Sequence, residues 1–291
     1  MATISVVINT YNAQRVLRQC LAALDKADEI IVCDMYSTDD TVTIAKEFGC
    51  KVIYYEQSGY AEIARNWAHA QISSEWLLVI DADEIVPDKL WEYLKTFTDN
   101  KEGYTTLSFP KQDYVLGRPL RCMYRRIDKR FWKKNCATYE THVHGGVITL
   151  QGKDFMINPK HKSLALLHYH VESLESYLEK INRYTTLEQD RFEKKNKSFS
   201  LFVLFYRPIG EFFKIYIVKM GFLDGLLGFI FAVLHSFYKF MQHAKLYETH
   251  YKRKNPIISY TNITYHYRRD QRRRNNQQNN WREKNSSKVR V

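Results

Sequence analysis

Up to about residue 90, short apolar segments alternate with segments of helical pattern, and this alternation constrains the fold most. Parallel strands covered on both faces read as continuous apolar runs, and each needs a crossover before the next. The order therefore predicts an α/β fold with a mostly parallel sheet and helices on both faces. The predicted strands are residues 4–9, 29–33, 51–55 and 76–80. One predicted helix ends at Leu24, and another covers residues 60–71.

Two carboxylates, Asp81 and Asp83, stand where the fourth predicted strand ends. Acids at positions i and i+2 of a strand end can reach past the sheet edge together, and Mg²⁺ or Mn²⁺ prefers such oxygen ligands. Asp is also common in turns that cap a following helix, and Pro87 is placed to open one. From these residues alone, a metal site and a helix cap both remain open.

Polar residues follow two other predicted strands at the same edge of the sheet. Thr10, Tyr11 and Asn12 come after the first strand, and Asp34 comes after the second. Ligands of parallel α/β sheets bind outside the carboxyl ends of the strands. The convergence favours a binding site, although Asp34 alone reads equally well as a turn residue before the helix that follows Ser37.

Four motifs, at residues 5–12, 29–41, 61–68 and 76–84, resemble family 2 glycosyltransferases of the GT-A fold in order and spacing. Residues 167–170, 177–184 and 221–225 are similar to the bacterial subgroup that adds glucose to the lipopolysaccharide inner core. The resemblance extends to about residue 248. It implies an inverting enzyme that moves a hexose, glucose in that subgroup, from a UDP-sugar to a lipid-linked saccharide with the help of Mg²⁺ or Mn²⁺.

The resemblance also implies which residues bind the donor. Tyr11 would lie against the base, and Asp34 would accept a hydrogen bond from a uracil N–H. Arg65 would face the diphosphate, since a planar guanidinium can bind two oxygens at once. Asp81 would bind ribose or the metal. The implied donor-binding residues are Thr10, Tyr11, Asn12, Asp34, Arg65 and Asp81.

For the metal, the resemblance implies Asp83 as a direct ligand and a histidine from farther along the chain. His168 matches that place best, ahead of His170. A zinc site is the alternative, because His142 and His144 form a second H-x-H pair and each pair would point to one face of a strand. No neighbouring cysteine pair supports zinc.

Two carboxylates are alternative candidates for the base that removes the proton of the acceptor hydroxyl. Related sequences carry a His-Glu pair after the acceptor region, whereas here a glycine follows His144. Glu140 is the carboxylate nearest to that place, and Asp113 is expected on the loop before Gly117. The sequence contains no motif of a covalent nucleophile, which agrees with a single displacement.

Changes in composition predict four parts: a nucleotide-sugar-binding half (1–98), an acceptor-side half (99–190), amphipathic helices at a membrane interface (191–250) and a basic tail (251–291). The segment from Phe199 to Tyr247 mixes lysines with many aromatic residues, among them Phe229, Phe231 and Phe237. The longest uncharged run, residues 225–238, has 14 residues, whereas a spanning helix needs about 20. An in-plane anchor is therefore favoured, with helices packed on the catalytic core as the alternative.

The tail from residue 252 holds twelve Lys and Arg against Asp270 and Glu283, so most of the net charge of +12 lies there. We expect it to be disordered in water and to bind an anionic inner leaflet. A non-catalytic basic module that binds a nucleotide or nucleic acid is the alternative, although no nucleic-acid-binding fold is recognisable. Five cysteines without C-x-x-C spacing and no signal-peptide pattern indicate a reducing cytoplasm, and together with the resemblance they imply the cytoplasmic face of a bacterial inner membrane.

Overall fold

A computed structural model describes residues 2–56, 61–100, 103–123, 126–140 and 146–255. Contacts divide the chain into one unit up to His243 and a second unit from Ala244. The predicted tail beyond residue 255 and the histidines at 142 and 144 lie outside the described residues. All five cysteines are described, and all are free thiols, as expected.

The first half of the chain forms four parallel strands in the order β3-β2-β1-β4, and the predicted strands are confirmed. Most of their apolar side chains are buried, those of β1 and β4 almost without interruption, as expected for a sheet covered on both faces. The strands are β1 (Ile4–Thr10), β2 (Glu29–Asp34), β3 (Lys51–Tyr54) and β4 (Trp76–Asp81); the helices are α1 (Gln14–Ala22), α2 (Thr41–Glu47), α3 (Ala61–His69) and α4 (Asp88–Asn100).

Helices cover both faces of this sheet. Leu17 of α1, Ile44 of α2 and Trp91 of α4 belong to one buried cluster with the strand residues of one face. Ala68 of α3 belongs to a second cluster, which contains Val7 and lies on the opposite face. The architecture is therefore the layered α/β arrangement that the alternation predicted.

The second half of the chain extends the same sheet in mixed directions. The order continues β4-β8-β6-β12-β5, where β8 is antiparallel to both β4 and β6, and β12 is parallel to β6. The prediction that Asp113 lies on a loop is wrong, because this residue is inside β6. The remaining strands are β5 (Glu84–Ile85), β6 (Tyr104–Val115), β7 (Arg118–Pro119), β8 (Arg126–Lys133), β9 (Ala137–Tyr139), β10 (Val147–Thr149), β11 (Lys153–Met156) and β12 (Leu166–Val171).

The link between β4 and β5 requires the sheet to curl. Three strands separate β4 from β5 in the pairing order, which in a flat sheet would hold them about 19 Å apart. Three residues of chain, from Asp81 to Glu84, reach at most about 11 Å. The strands β8, β6 and β12 must therefore curve round, and the turn of residues 81–84 lies inside this curve.

Helices follow the sheet, and part of this layer is core. Ile215 and Phe231 are buried with Tyr177, Ile181 and Val115 in a third cluster. Phe231 was expected at a membrane interface, and this expectation is wrong because its side chain has no exposed surface. The helices are α5 (Leu174–Lys194), α6 (Leu201–Phe213) and α7 (Gly225–Lys254), with a π-helical turn at Lys214–Val218 and a 3-10 turn at Gly221–Asp224.

The apolar helix at the end of the described chain is longer than its sequence suggested. Lys239 ends the uncharged run but does not end α7, which continues to Lys254. Among the described residues, one helical segment, Gly221–Lys254, is long and apolar enough to cross a membrane, as judged by length and composition. Only 22% of its most apolar window is buried within the protein.

His69, the last residue of α3, supplies a prediction about pH. Its ring lies 5.3 Å from Trp132 and 5.6 Å from Tyr139, and neither buried nitrogen bonds a polar group of the described residues. Burial lowers the pKa of His69 to about 3, whereas an unfolded histidine has a pKa of about 6.5. The neutral folded ring therefore stabilises the protein above pH 6.5, and this contribution is lost as the pH falls.

We expect His69→Phe to remove this part of the acid sensitivity. The wild-type protein should lose about 2 kcal/mol more unfolding free energy than the variant between pH 8 and pH 5. Urea unfolding at both pH values measures the difference. Equal losses in the two proteins would show that the ring is hydrated or protonated in the native state.

Candidate active site

The predicted polar residues meet at one edge of the sheet. Thr10 and Asp34 are partners in the register of β1 and β2, and Asn9 is the partner of Asp81 in β4. Three adjacent strands thus end side by side, each with an oxygen-bearing side chain. The predicted convergence at the carboxyl edge is confirmed.

Asp34 is fully buried and both of its oxygens accept hydrogen bonds. Thr10 Oγ1 donates at 2.9 Å, Ser37 N at 2.7 Å and Ser37 Oγ at 2.6 Å. The sequence left open whether Asp34 binds a ligand or stabilises the turn before α2. These hydrogen bonds match the turn residue. Recognition of uracil by Asp34 stays a prediction.

Asn12 joins the loop after β1 to the loop after β2. Its backbone has a φ of 51°, and its Oδ1 accepts a hydrogen bond of 2.8 Å from Thr38 N. Its own N–H donates to Ser37 Oγ at 2.8 Å. Tyr11, the preceding residue, is half-buried at the same loop. Asn12 therefore supports the loop, and contacts of either residue with a nucleotide stay predictions.

Asp81 forms ion pairs with two arginines. Arg65 Nη2 on α3 lies 2.7 Å from Oδ1, and Arg130 Nη2 on β8 lies 2.9 Å from Oδ2. Burial raises the pKa of Asp81, but Arg130 and Arg65 outweigh burial and hold this pKa well below its ordinary value. Asp81 is thus an anion whose two oxygens are engaged within the chain, and it holds Arg65 at the edge of the site. The helix-cap alternative is wrong for this acid.

A buried charge network beneath this turn was not predicted. Glu84, with no exposed surface, pairs with Lys111 of β6 and lies 3.5 Å from Arg130. Glu84 Oε2 also accepts a 2.8 Å hydrogen bond from Asp81 N, which fixes the turn. Lys111 and Arg130 are buried in their strands, where charges rarely lack partners, but five of the eight residues of β8 are charged, so its sequence did not single out Arg130.

Asp83 faces the second group of functional residues. Its Oδ2 lies 3.3 Å from His168 Nε2 and 3.5 Å from Lys180 Nζ, and its carbonyl accepts a 2.9 Å hydrogen bond from Tyr169 N. Burial raises the pKa of Asp83, but the hydrogen bond and charge of His168 and the charge of Lys180 lower it below its ordinary value. The backbone bond holds Asp83 against β12, and its carboxylate pairs with His168 and Lys180 and accepts no backbone N–H of the described residues, so this acid is not a helix cap either.

His168 lies between two carboxylates. Its Nδ1 is bonded to Asp113 Oδ1, and its Nε2 faces Asp83. Burial lowers the pKa of His168, but the bonds to Asp113 and Asp83 raise it above its ordinary value. His170 lies 5.0 Å away, ring to ring, and burial lowers its pKa to about 3, helped by Lys180. The sequence did not predict Lys180 as a site residue.

The side chains at this place fit a divalent ion. Asp83 Oδ2 and His168 Nε2 are close enough to share one ion, and ligand atoms of Asp113, His168 and His170 lie within 4.8 Å of one another. An anionic partner on Nδ1 orients a metal-binding imidazole and increases its basicity, as Asp113 does here. Oxygen and imidazole ligands together suit Mn²⁺ and, with more water, Mg²⁺.

The two candidate bases differ in access. Glu140 follows β9, is half-buried, and its Oε2 accepts a 2.9 Å hydrogen bond from Gly146 N. Asp113 has no exposed surface, and one of its oxygens is bonded to His168. An acceptor hydroxyl could meet Glu140 directly, whereas Asp113 would first have to be uncovered.

Comparison with known proteins identifies the family of this chain. The pattern described as glycosyl transferase family 2 matches residues 5–155, which is more than half of the chain. The chain belongs to glycosyltransferase family 2. Together with the sheet described above, the match confirms the GT-A fold, and it sets aside the non-catalytic nucleic-acid-binding alternative.

Proteins named as glycosyltransferases are similar to almost the whole chain. An uncharacterized glycosyltransferase of Rickettsia typhi is 30% identical over 91% of this chain and 94% of its own length. The lipopolysaccharide core biosynthesis glycosyltransferase LpsC of Rhizobium meliloti is 26% identical over 88% and 96%. Among solved structures, glucosyl-3-phosphoglycerate synthase of Mycobacterium tuberculosis with Mn²⁺ and UDP shares 24% identity over 39% of this chain and 44% of its own, with a TM-score of 0.33.

Proposed function

We propose that this family 2 glycosyltransferase moves a hexose, such as glucose, from a UDP-sugar to a lipid-linked saccharide of the lipopolysaccharide core type. The proposal depends on one observation above all, the meeting of Asp83, His168 and Lys180 beside the Asp81–Arg65 pair. Carboxylates that can hold a cation next to fixed positive charge suit a nucleoside diphosphate. The relative LpsC, which spans nearly the same length, supports the lipopolysaccharide acceptor.

The donor side is built by residues of the turn and of β12. Asp83 and His168 would hold Mg²⁺ or Mn²⁺, which supplies positive charge to the departing diphosphate. Asp113 keeps the ring of His168 oriented, and Arg65 is held at the site by Asp81. Tyr11 and Asp34 would bind the uracil. These groups are positioned before the reaction, so little reorganisation is needed when charge develops.

The acceptor side needs one carboxylate. The acceptor oxygen forms its bond to the anomeric carbon as the bond from that carbon to the diphosphate breaks, and the acceptor proton passes to the base. Glu140 fits this role better than Asp113, because Asp113 is buried and engaged by His168. A single displacement of this kind inverts the anomeric centre, so a UDP-α-sugar would give a β-linked product.

An assay without acceptor tests the donor half of the proposal. We expect slow hydrolysis of UDP-glucose that requires Mn²⁺ or Mg²⁺, stops with a chelator and is inhibited by UDP more strongly than by GDP or ADP. Release of UDP, followed with a coupled enzyme, measures it. Metal-independent release, or equal inhibition by the three nucleotides, would contradict the assigned donor site.

A membrane surface fits the outer face of the helical layer. Phe202, Phe205 and Ile209 of α6 are 74, 59 and 57% exposed, and α6 has no buried residue. Arg207 lies among them in sequence, and Lys214 directly follows the helix. Exposed aromatic side chains mixed with cations are typical of an interfacial helix beside anionic lipid. We propose peripheral attachment to the cytoplasmic face of the inner membrane.

Binding to vesicles tests this attachment. The full chain should sediment with anionic phospholipid vesicles, and Phe202→Ser with Phe205→Ser should weaken binding roughly tenfold or more at any salt concentration. Deleting residues 252–291 should weaken binding mainly at low salt. Phe48→Ser, at an exposed phenylalanine after α2, is the matched control. A chain that stays in solution with vesicles at low salt would contradict the proposal.

A further inference from the structure

Lys180 reaches the site from a helix outside the sheet. Helix α5 begins three residues after β12 ends, and Ser173 and Ser176 cap its start reciprocally. Two turns later Lys180 Nζ lies 3.5 Å from Asp83 Oδ2. Its neighbours Tyr177 and Ile181 are buried in the cluster beneath the helix. The helix is therefore anchored, and Lys180 is aimed at Asp83 by its position on that helix.

The Lys180–Asp83 pair is looser than the pairs around Asp81. Its separation of 3.5 Å exceeds the 2.7 and 2.9 Å of the two arginine pairs, and its lysine side chain is 26% exposed. A lysine has a flexible stem of four carbons, and water still reaches part of this ammonium, so it can be solvated when it moves away from Asp83. Lys180 can therefore leave Asp83 at small cost.

The balance of charge at the site suggests when Lys180 leaves Asp83. A divalent ion on Asp83 and the ammonium of Lys180 are like charges, so they repel each other on one carboxylate. A donor diphosphate carries several negative charges and gains more as the sugar departs. Arg65 and Arg130 already neutralise Asp81. Among these three cations, Lys180 is the one that is paired with Asp83, the carboxylate that a metal would bind.

We propose that Lys180 has two positions: on Asp83 while no metal is bound, and on the diphosphate of the donor once a divalent ion occupies Asp83. The lysine would then both compete with the metal before the donor arrives and neutralise the leaving group afterwards. This inference rests on the proposed use of a nucleoside diphosphate sugar.

Lys180→Met should change two affinities in opposite directions. Without the competing ammonium, Mn²⁺ alone should bind about three- to tenfold more tightly. With Mn²⁺ saturating, UDP should bind about 10–100-fold more weakly, because a charge-assisted contact with the diphosphate is lost. Titration calorimetry of the full chain, first with Mn²⁺ and then with UDP, measures both without turnover.

Two control variants separate this role from a structural one. Lys180→Arg keeps the charge and should retain most of the UDP affinity, and Arg183→Met, on the exposed side of the same helix, should change neither affinity. Parallel loss of both affinities with a lower melting temperature, or no change in either, would overturn the inference. A Lys180→Met protein that binds Mn²⁺ more tightly but UDP with unchanged affinity would overturn the proposed position of Lys180 on the diphosphate. Failure of the wild-type chain to bind UDP with Mn²⁺ would instead refute the proposed function.

Discussion

Asp83→Asn should reduce sugar transfer by about a thousandfold while the protein still folds. The amide keeps the shape of the side chain but removes the negative charge offered to the metal, and metal stabilisation of a leaving group is worth several kcal/mol. The backbone carbonyl of residue 83 still accepts its bond from Tyr169, so the turn is preserved. Initial rates at limiting Mn²⁺, with circular dichroism for folding, measure the two outcomes.

Asp88→Asn is the matched control for this loss of charge. Asp88 opens α4 only five residues away, and its exposed side chain pairs with Lys26. This variant should transfer sugar at the wild-type rate. An Asp83→Asn protein that kept near-wild-type turnover at limiting metal would show that another group holds the cation.

Lys111→Met should destabilise the fold by about 3–5 kcal/mol, because it leaves a buried carboxylate without its main partner. Burial lowers the pKa of Lys111, but Glu84 and Asp81 raise it above its ordinary value, so the lysine is charged. Its side chain and that of Glu84 are 3 and 0% exposed. In the variant Glu84 keeps its hydrogen bond from Asp81 N, but among the described residues Arg130, at 3.5 Å, is the one cation left beside it. The midpoint of thermal unfolding should fall by roughly 10 °C.

Lys133→Met makes the same chemical change at a surface ion pair. Lys133 on β8 lies 2.9 Å from Glu75, and both side chains are about half exposed, so the cost should stay below about 1 kcal/mol. Adding Glu84→Gln to Lys111→Met should recover part of the loss, because the unpaired charge is removed. Equal stability of the Lys111→Met and Lys133→Met proteins would mean that water reaches Glu84.

The sequence located the edge of the sheet that carries the candidate site but not the partners of its acids. Asp81 was expected to bind a ligand and Asp34 was left open between a ligand and a turn, yet the chain engages both oxygens of each. Arg130 belongs to none of the motifs, and Lys180 lies in the segment 177–184, whose resemblance did not assign it a role, so neither residue was predicted. Phe231 was placed at a membrane from the composition of its segment alone. The same aromatic pattern is also typical of a helix that buries one face in the protein, as α7 does at Phe231.

Local periodicity determined the parallel strands, the helices between them and the edge at which their polar ends meet. These features depend on interactions between residues close in sequence or on the general rule for parallel crossovers. The partners of residues 81–84 were decided by tertiary structure. Lys111, Arg130 and His168 come from three later strands that meet the turn because the sheet curls back on itself. No local pattern encodes that curl, which follows from the pairing order of the whole sheet.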